Sequence, residues 1–146
     1  MPRFGHATII SGDTVYLFGG RYNEPHIFGS KCFNDLHVLD MVSMEWRVVH
    51  GSSHNAEGIP SAREFHTLTA VSVTHAVLFG GSKGHLYRGD CWILDLVKAS
   101  TSCEENPASI WTSCLHHGRP YHKRRKLKLP ERAKHITVLE LYSKRI

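Results

Sequence analysis

The sequence predicts an all-β chain made of two tandem repeats, each a four-stranded antiparallel sheet. Three observations carry this. The strand end Leu17-Phe18-Gly19-Gly20 recurs as Leu78-Phe79-Gly80-Gly81. Each copy has an Arg-x-x-His upstream and, downstream, an aspartate-led apolar run followed by a tryptophan. Apolar residues fall in short β-branched or aromatic runs, and no segment sustains the 3.6-residue period of a helix, so helix is expected to be scarce. Self-similarity on this scale points to a radial or solenoid architecture.

The elements follow in order. His6–Ile10 and Val15–Phe18 are strands joined by the turn cluster Ser11-Gly12-Asp13-Thr14. Leu36–Met41 and Glu45–Val49 complete the first repeat, and Thr67–Val73, Ala76–Phe79, Cys91–Leu96 and Ile110–Ser113 build the second. The copies align as Arg3/Arg63, His6/His66, Gly19/Gly80, Gly20/Gly81, Asp35/Asp90 and Trp46/Trp111. Their differences fall in loops, before the first aspartate and before the second tryptophan, as expected of a fixed scaffold with variable rims. The paired glycines suit a sharp turn with close backbone approach. Each tryptophan is a large apolar body expected to pack between adjacent sheets.

The net charge of +5 is local. Residues 118–135 hold eight basic side chains against Glu131, a local +7 that leaves −2 for the other 128 residues. No 18-residue apolar run or charged-then-apolar leader is present, so neither a membrane helix nor a secretory signal is expected, and the setting is read as cytoplasmic, nuclear or both. Cys32, Cys91, Cys103 and Cys114 are then expected as free thiols. The chain divides into 1–57, 58–114, a basic linker 115–129, and 130–146. In that last segment Arg132-Ala133-Lys134-His135 repeats the Arg-x-x-His opening. It is either the first strand of a truncated third repeat or a tail outside the fold.

Arg-x-x-His, an apolar run ending in Gly-Gly, then Asn34-Asp35-Leu36 or Gly89-Asp90-Cys91 and a tryptophan, resemble the kelch repeat over residues 2 to about 111. The resemblance implies a β-propeller with four-stranded blades. Propellers have about 4–8 blades, so two repeats are expected to form a partial one, from a truncated isoform or fragment, or completed by another chain. Phe18-Gly19-Gly20-Arg21-Tyr22, Asn34-Asp35-Leu36-His37, His66-Thr67-Leu68-Thr69 and Leu78-Phe79-Gly80-Gly81 are most similar to kelch-domain substrate receptors of cullin-RING ubiquitin ligases. That implies a non-enzymatic interaction module whose partner is a protein or a peptide C-terminus. The ligase components would bind through segments outside this chain, since no adaptor box is visible. Gly89 stands where a serine would have suited a carboxylate pocket. Two other readings are a metal-dependent or product-specifying enzyme of the kelch-like class and actin binding.

Two roles are open for Arg3 and Arg63. Their forks suit a partner's carboxylate or an ion pair within the blade. His6 and His66 are expected to make structural hydrogen bonds, because catalytic residues are seldom duplicated repeat by repeat. Cys103, Cys114, His116, His117 and His122 cluster in sequence without paired metal-ligand spacing, so no metal or other cofactor is expected. Lys123-Arg124-Arg125-Lys126 is either a nuclear signal or a solvated charge run. The lack of interleaved aromatics argues against nucleic acid. No nucleophile elbow or phosphate loop appears.

Overall fold

The strands form two four-stranded antiparallel meanders whose first strands lie side by side. The computed structural model describes residues 2–24, 29–50, 58–101 and 107–114, all within the unit Met1–His116. In chain order the described strands are β1 (Ala7–Ser11), β2 (Thr14–Phe18), β3 (Arg21–Glu24), β4 (Gly29–Cys32), β5 (Leu36–Asp40), β6 (Glu45–His50), β7 (Thr67–Ala70), β8 (His75–Phe79), β9 (Ser82–Lys83), β10 (Leu86–Tyr87), β11 (Cys91–Asp95) and β12 (Trp111–Ser113). The first sheet runs β1-β2-β5-β6 and the second β7-β8-β11-β12. This is the architecture of two propeller blades, an all-β partial propeller.

The sequence reading missed two small hairpins. After each Gly-Gly the chain makes a two-stranded excursion, β3–β4 in the first blade and β9–β10 in the second, before returning to the sheet. Ser82-Lys83 and Leu86-Tyr87 are too short for any period to register. Among the described residues two short helical elements interrupt the strands: α1 spans Leu96–Thr101, where Leu96 was expected to end a strand, and a 3-10 turn spans Pro107–Ile110, where Ile110 was expected to start one. Asp95 caps α1, its Oδ1 accepting from the Lys98 N–H at 2.9 Å. Leu96 and Ala99 are buried, and Arg47 of the first blade donates to the Ala99 and Ser100 carbonyls. The expected strand Thr67–Val73 ends at Ala70 because the Ser72 hydroxyl accepts from the Thr74 and His75 N–H groups and turns the chain.

The core lies between the sheets. Tyr16, Phe18, Leu36, Val38 and Val49 of the first blade meet Leu68, Ala76, Leu78, Leu94 and Trp111 of the second. Phe18 is its centre, edge-on to Trp111 at 5.1 Å and to His66 at 5.4 Å between ring centroids. The Trp111 indole N–H donates to His50 Nε2 at 3.1 Å. Repeat positions that match in sequence differ in burial according to which face they occupy. Phe18 is 0% exposed while Phe79 is 50%, and Trp111 is 4% exposed while Trp46 is 54%. Trp111 packs between sheets as expected. Trp46 does not, because it stands on the face of the first blade turned away from the second.

Truncating Phe18 removes a packed ring and leaves a cavity. Phe18→Ala is expected to cost about 3–5 kcal/mol in chemical denaturation. Phe79→Ala, at the matching exposed position, should cost less than about 1 kcal/mol. Equal losses would contradict the assigned interface.

Candidate functional site

The two repeat arginines are anchored inside their own blades. Arg3 forks onto Asp35, at 2.7 Å to Oδ1 and 2.9 Å to Oδ2, donates to the Gly19 carbonyl at 3.0 Å, and lies 4.4 Å over the Phe33 ring. Arg63 repeats this with Asp90, at 2.7 Å to each carboxylate oxygen, and with the Gly80 carbonyl at 2.9 Å. Its remaining donors go to the Ser61 carbonyl and hydroxyl. All five guanidinium hydrogens are thereby matched, and Arg63 is 0% exposed. Of the two roles open for Arg63, the structure supports the ion pair within the blade: the group is fully occupied and closed to solvent. Arg3 serves the same internal role.

Each aspartate receives a second donor, His37 Nε2 to Asp35 at 2.8 Å and the Trp92 indole N–H to Asp90 at 2.7 Å. Burial works to raise the Asp35 carboxyl, but hydrogen bonds from His37 and Arg3 overcome it and hold the group at about 2. Burial likewise opposes ionisation of Asp90, and the bonds from Arg63 and Trp92 lower it nonetheless.

The glycine pair brings the arginine segment against the sheet. Gly20 and Gly81 hold φ of 93° and 91°. A Cβ on Gly20 would stand 2.9 Å from the Phe4 carbonyl and from the His6 Cβ, and one on Gly81 would stand 2.7 Å from the Glu64 carbonyl. Only glycine permits that approach. Gly19 and Gly80 also turn left-handed. Between blades, the Gly20 N–H donates to the Arg63 carbonyl at 2.9 Å, and the Arg63 N–H donates to the Phe33 carbonyl at 3.0 Å. His66 is buried edge-on to Phe18. Neither ring nitrogen makes a well-formed hydrogen bond, although the Phe18 carbonyl gives the ring a weak favourable contact. His66 thus packs against Phe18 across the inter-blade core. His6, on the outer face, is exposed.

At the Gly-Gly end of the blades these contacts border an accessible rim. The arginine segments bridge to the hairpins, Phe4 with Arg21 and Glu64 with Ser82. Arg21 pairs on with Cys32, and Ser82 with Tyr87, so each blade carries a short ladder at this end. Glu64 is 2% exposed and accepts from Arg21 of the other blade at 3.2 Å, while its second carboxylate oxygen has no partner. Beside it Phe65 holds φ of 55°, where Gly5 stands in the first repeat, and its ring is 66% exposed. A bulky residue in the left-handed region is strained. Phe4 lies 6.2 Å from it, and Leu86 and Tyr87 stand exposed on the hairpin. Next to Tyr87, the Arg88 guanidinium has no side-chain partner among the described residues, and its Nε is shut off from water. The sequence reading overlooked Phe65 and Arg88. The available signal was Phe65 aligned with Gly5.

Among the described residues no three His, Cys, Asp or Glu side chains converge to hold a metal ion, and no helix is long and apolar enough to cross a membrane. Cys103, His116, His117, His122, the basic stretch Lys123-Arg124-Arg125-Lys126 and the segment 130–146 lie outside the described residues.

With the paired blades and their Arg–Asp anchors in view, comparison with known proteins gives the family. Residues 1–137 match the model of the KLHDC2/KLHL20/DRC7 Kelch-repeats domain. The chain belongs to the kelch-repeat family. It is similar to Kelch domain-containing protein 2 of Bos taurus, 38% identical over 55% of this chain and 17% of that one. It is also similar to Kelch domain-containing protein 1 of Homo sapiens, 29% identical over 78% of this chain and 27% of that protein. A third relative is Host cell factor of Drosophila melanogaster, 34% identical over 64% of this chain and 7% of that one. The chain thus spans less than a third of the length of these relatives. Kelch membership supports reading it as a protein-interaction module.

One titration ties the blade interface to pH. His66 titrates at about 4 instead of 6.5, chiefly through burial and then through the nearby Arg63 charge. The unfolded chain binds its proton first as pH falls, so stability is full above about 6.5 and declines toward about 4. Lowering pH from about 7.5 to about 5 should remove about 1–2 kcal/mol of unfolding free energy through this group. His66→Phe should flatten that part of the profile, and an unchanged slope would contradict the assignment.

Proposed function

We propose that the rim formed by Phe4, Phe65, Leu86, Tyr87 and Arg88 receives a peptide segment of a client protein, and that the chain is the client-recognition part of a cullin-RING ubiquitin ligase receptor. The observation that carries the rim is Phe65. A phenylalanine held in a left-handed backbone with its ring facing solvent does little for the core, and strain of this kind concentrates at binding positions. Exposed aromatics beside a cation form a recurrent anchor set for peptide recognition. The ligase reading rests on the likeness of the Gly-Gly and Asp-led strands to those receptors.

With Arg63 committed to Asp90, a cation at this rim open to a client carboxylate is Arg88. A charge-assisted contact of this kind contributes about 1.5–3 kcal/mol. Peptides with free and amidated C-termini, titrated by fluorescence polarisation, test the reading. Arg88→Ala should weaken binding of free-carboxylate peptides about tenfold or more and leave amidated ones unaffected. Binding insensitive to both Arg88 and amidation would remove the carboxylate contact. Phe65→Gly relieves the left-handed strain and should raise stability by about 1 kcal/mol while lowering affinity for the client. A Phe65→Gly chain that binds as well as the parent would remove the rim from the account.

A further inference from the structure

The register of the last strand pair sets two thiols against each other. β11 and β12 pair as Leu94 with Trp111, Ile93 with Thr112 and Trp92 with Ser113. The next rung is Cys91 with Cys114, closed by a 2.9 Å hydrogen bond from the Cys114 N–H to the Cys91 carbonyl. Cys91 and Cys114 are a hydrogen-bonded pair, whose side chains point to the same face with Cα atoms about 5.5 Å apart. That lies within the range of about 4.4–6.8 Å that a disulfide spans. Trp92 and Leu94 turn toward the other blade, so the two sulfurs share the opposite face. Cys91 is half-buried there and Cys114 is exposed. The thiols interact: desolvation of the sulfur against the strand, then the hydrogen bond and charge of Cys91 itself, hold the Cys114 proton up to about 12, although the residue as a whole is exposed. Neither residue enters the Arg–Asp anchors or the rim.

We propose that Cys91 and Cys114 form a reversible cross-strand disulfide that staples β12 to β11 and makes the second blade responsive to thiol redox state. β12 is only three residues long and holds Trp111 in the inter-blade core, so its attachment governs the contact with Phe18. The oxidant is a low-molecular-weight disulfide such as oxidised glutathione. One cysteine thiolate attacks it, forming a mixed disulfide and releasing one glutathione thiolate. The second cysteine then attacks the protein sulfur, closes the Cys91–Cys114 bond and releases the other glutathione. Two protein thiols are oxidised, one glutathione disulfide is reduced, and both thiol protons pass to the glutathione thiolates or to solvent.

The test is oxidation of the full chain with glutathione disulfide at mildly alkaline pH, then alkylation and peptide mapping. Cleavage at Arg88 and Lys98 isolates Cys91, and a cut after Glu105 separates Cys103 from Cys114. The expected result is a Cys91–Cys114 linked peptide, with Cys32 alkylated. Oxidation should raise the melting temperature by several degrees, reversibly with reductant. Moving one thiol by a residue in the double variant Ser113→Cys/Cys114→Ser sends it to the opposite face and should abolish the link. Linkage that survives this shift, scrambled pairing among the four cysteines, or glutathione adducts without a cross-link would overturn the proposal.

Discussion

Everything positioned in this chain depends on an arginine fork closed onto an aspartate from the far side of its own blade. Arg3–Asp35 and Arg63–Asp90 join the segment leading into the first strand to the residue opening the third, and each also takes a strand-end glycine carbonyl. A buried ion pair bears a heavy desolvation cost unless every polar atom is matched. At Arg63 that condition is met donor by donor, so geometry and satisfied hydrogen bonds, rather than charge attraction alone, make the pair tenable. With the arginine fixed, its main chain is fixed too, and through Arg63 it forms the hydrogen bonds that tie one blade to the next.

The rim follows from that anchor. Glu64 and Phe65 come directly after Arg63, so the positions of the buried carboxylate and the strained ring are set by the fork behind them. The same anchor explains why an arginine that looks suited to a carboxylate is unavailable for one. Matching positions differ sharply in burial from one blade to the other. The repeat builds two similar faces per blade, but among the described residues one pair of faces meets. In relatives that are several times longer, the chain corresponds to a small share of the whole.

Much of the fold was legible in the sequence because the signals were local and doubled. Gly-Gly marked the strand ends, alternation and β-branching marked the strands, and the two copies confirmed each other. The hairpins after the glycines escaped because strands of two to four residues carry no period, and their pairing depends on bridges to Phe4 and Glu64. Helix α1 escaped because a single capped turn and a half depends on Asp95 and on carbonyl contacts from Arg47 in the other blade. For the site, the sequence identified the repeated arginines and left their two roles open. Burial decided between them, and burial is a property of both blades together. Phe65 was visible as a departure from Gly5, but its left-handed backbone became meaningful only beside the exposed ring.

The measurement that tests the anchor most directly is a double-mutant cycle on Arg63 and Asp90. Arg63→Met, Asp90→Asn and the double variant are unfolded in urea and compared with the parent chain. The account predicts single losses of about 3–5 kcal/mol and a double variant no worse than the poorer single. The coupling would then amount to several kcal/mol. Losses that add to within about 0.5 kcal/mol would mean that the two side chains act independently, and the blade would need another explanation for how it closes.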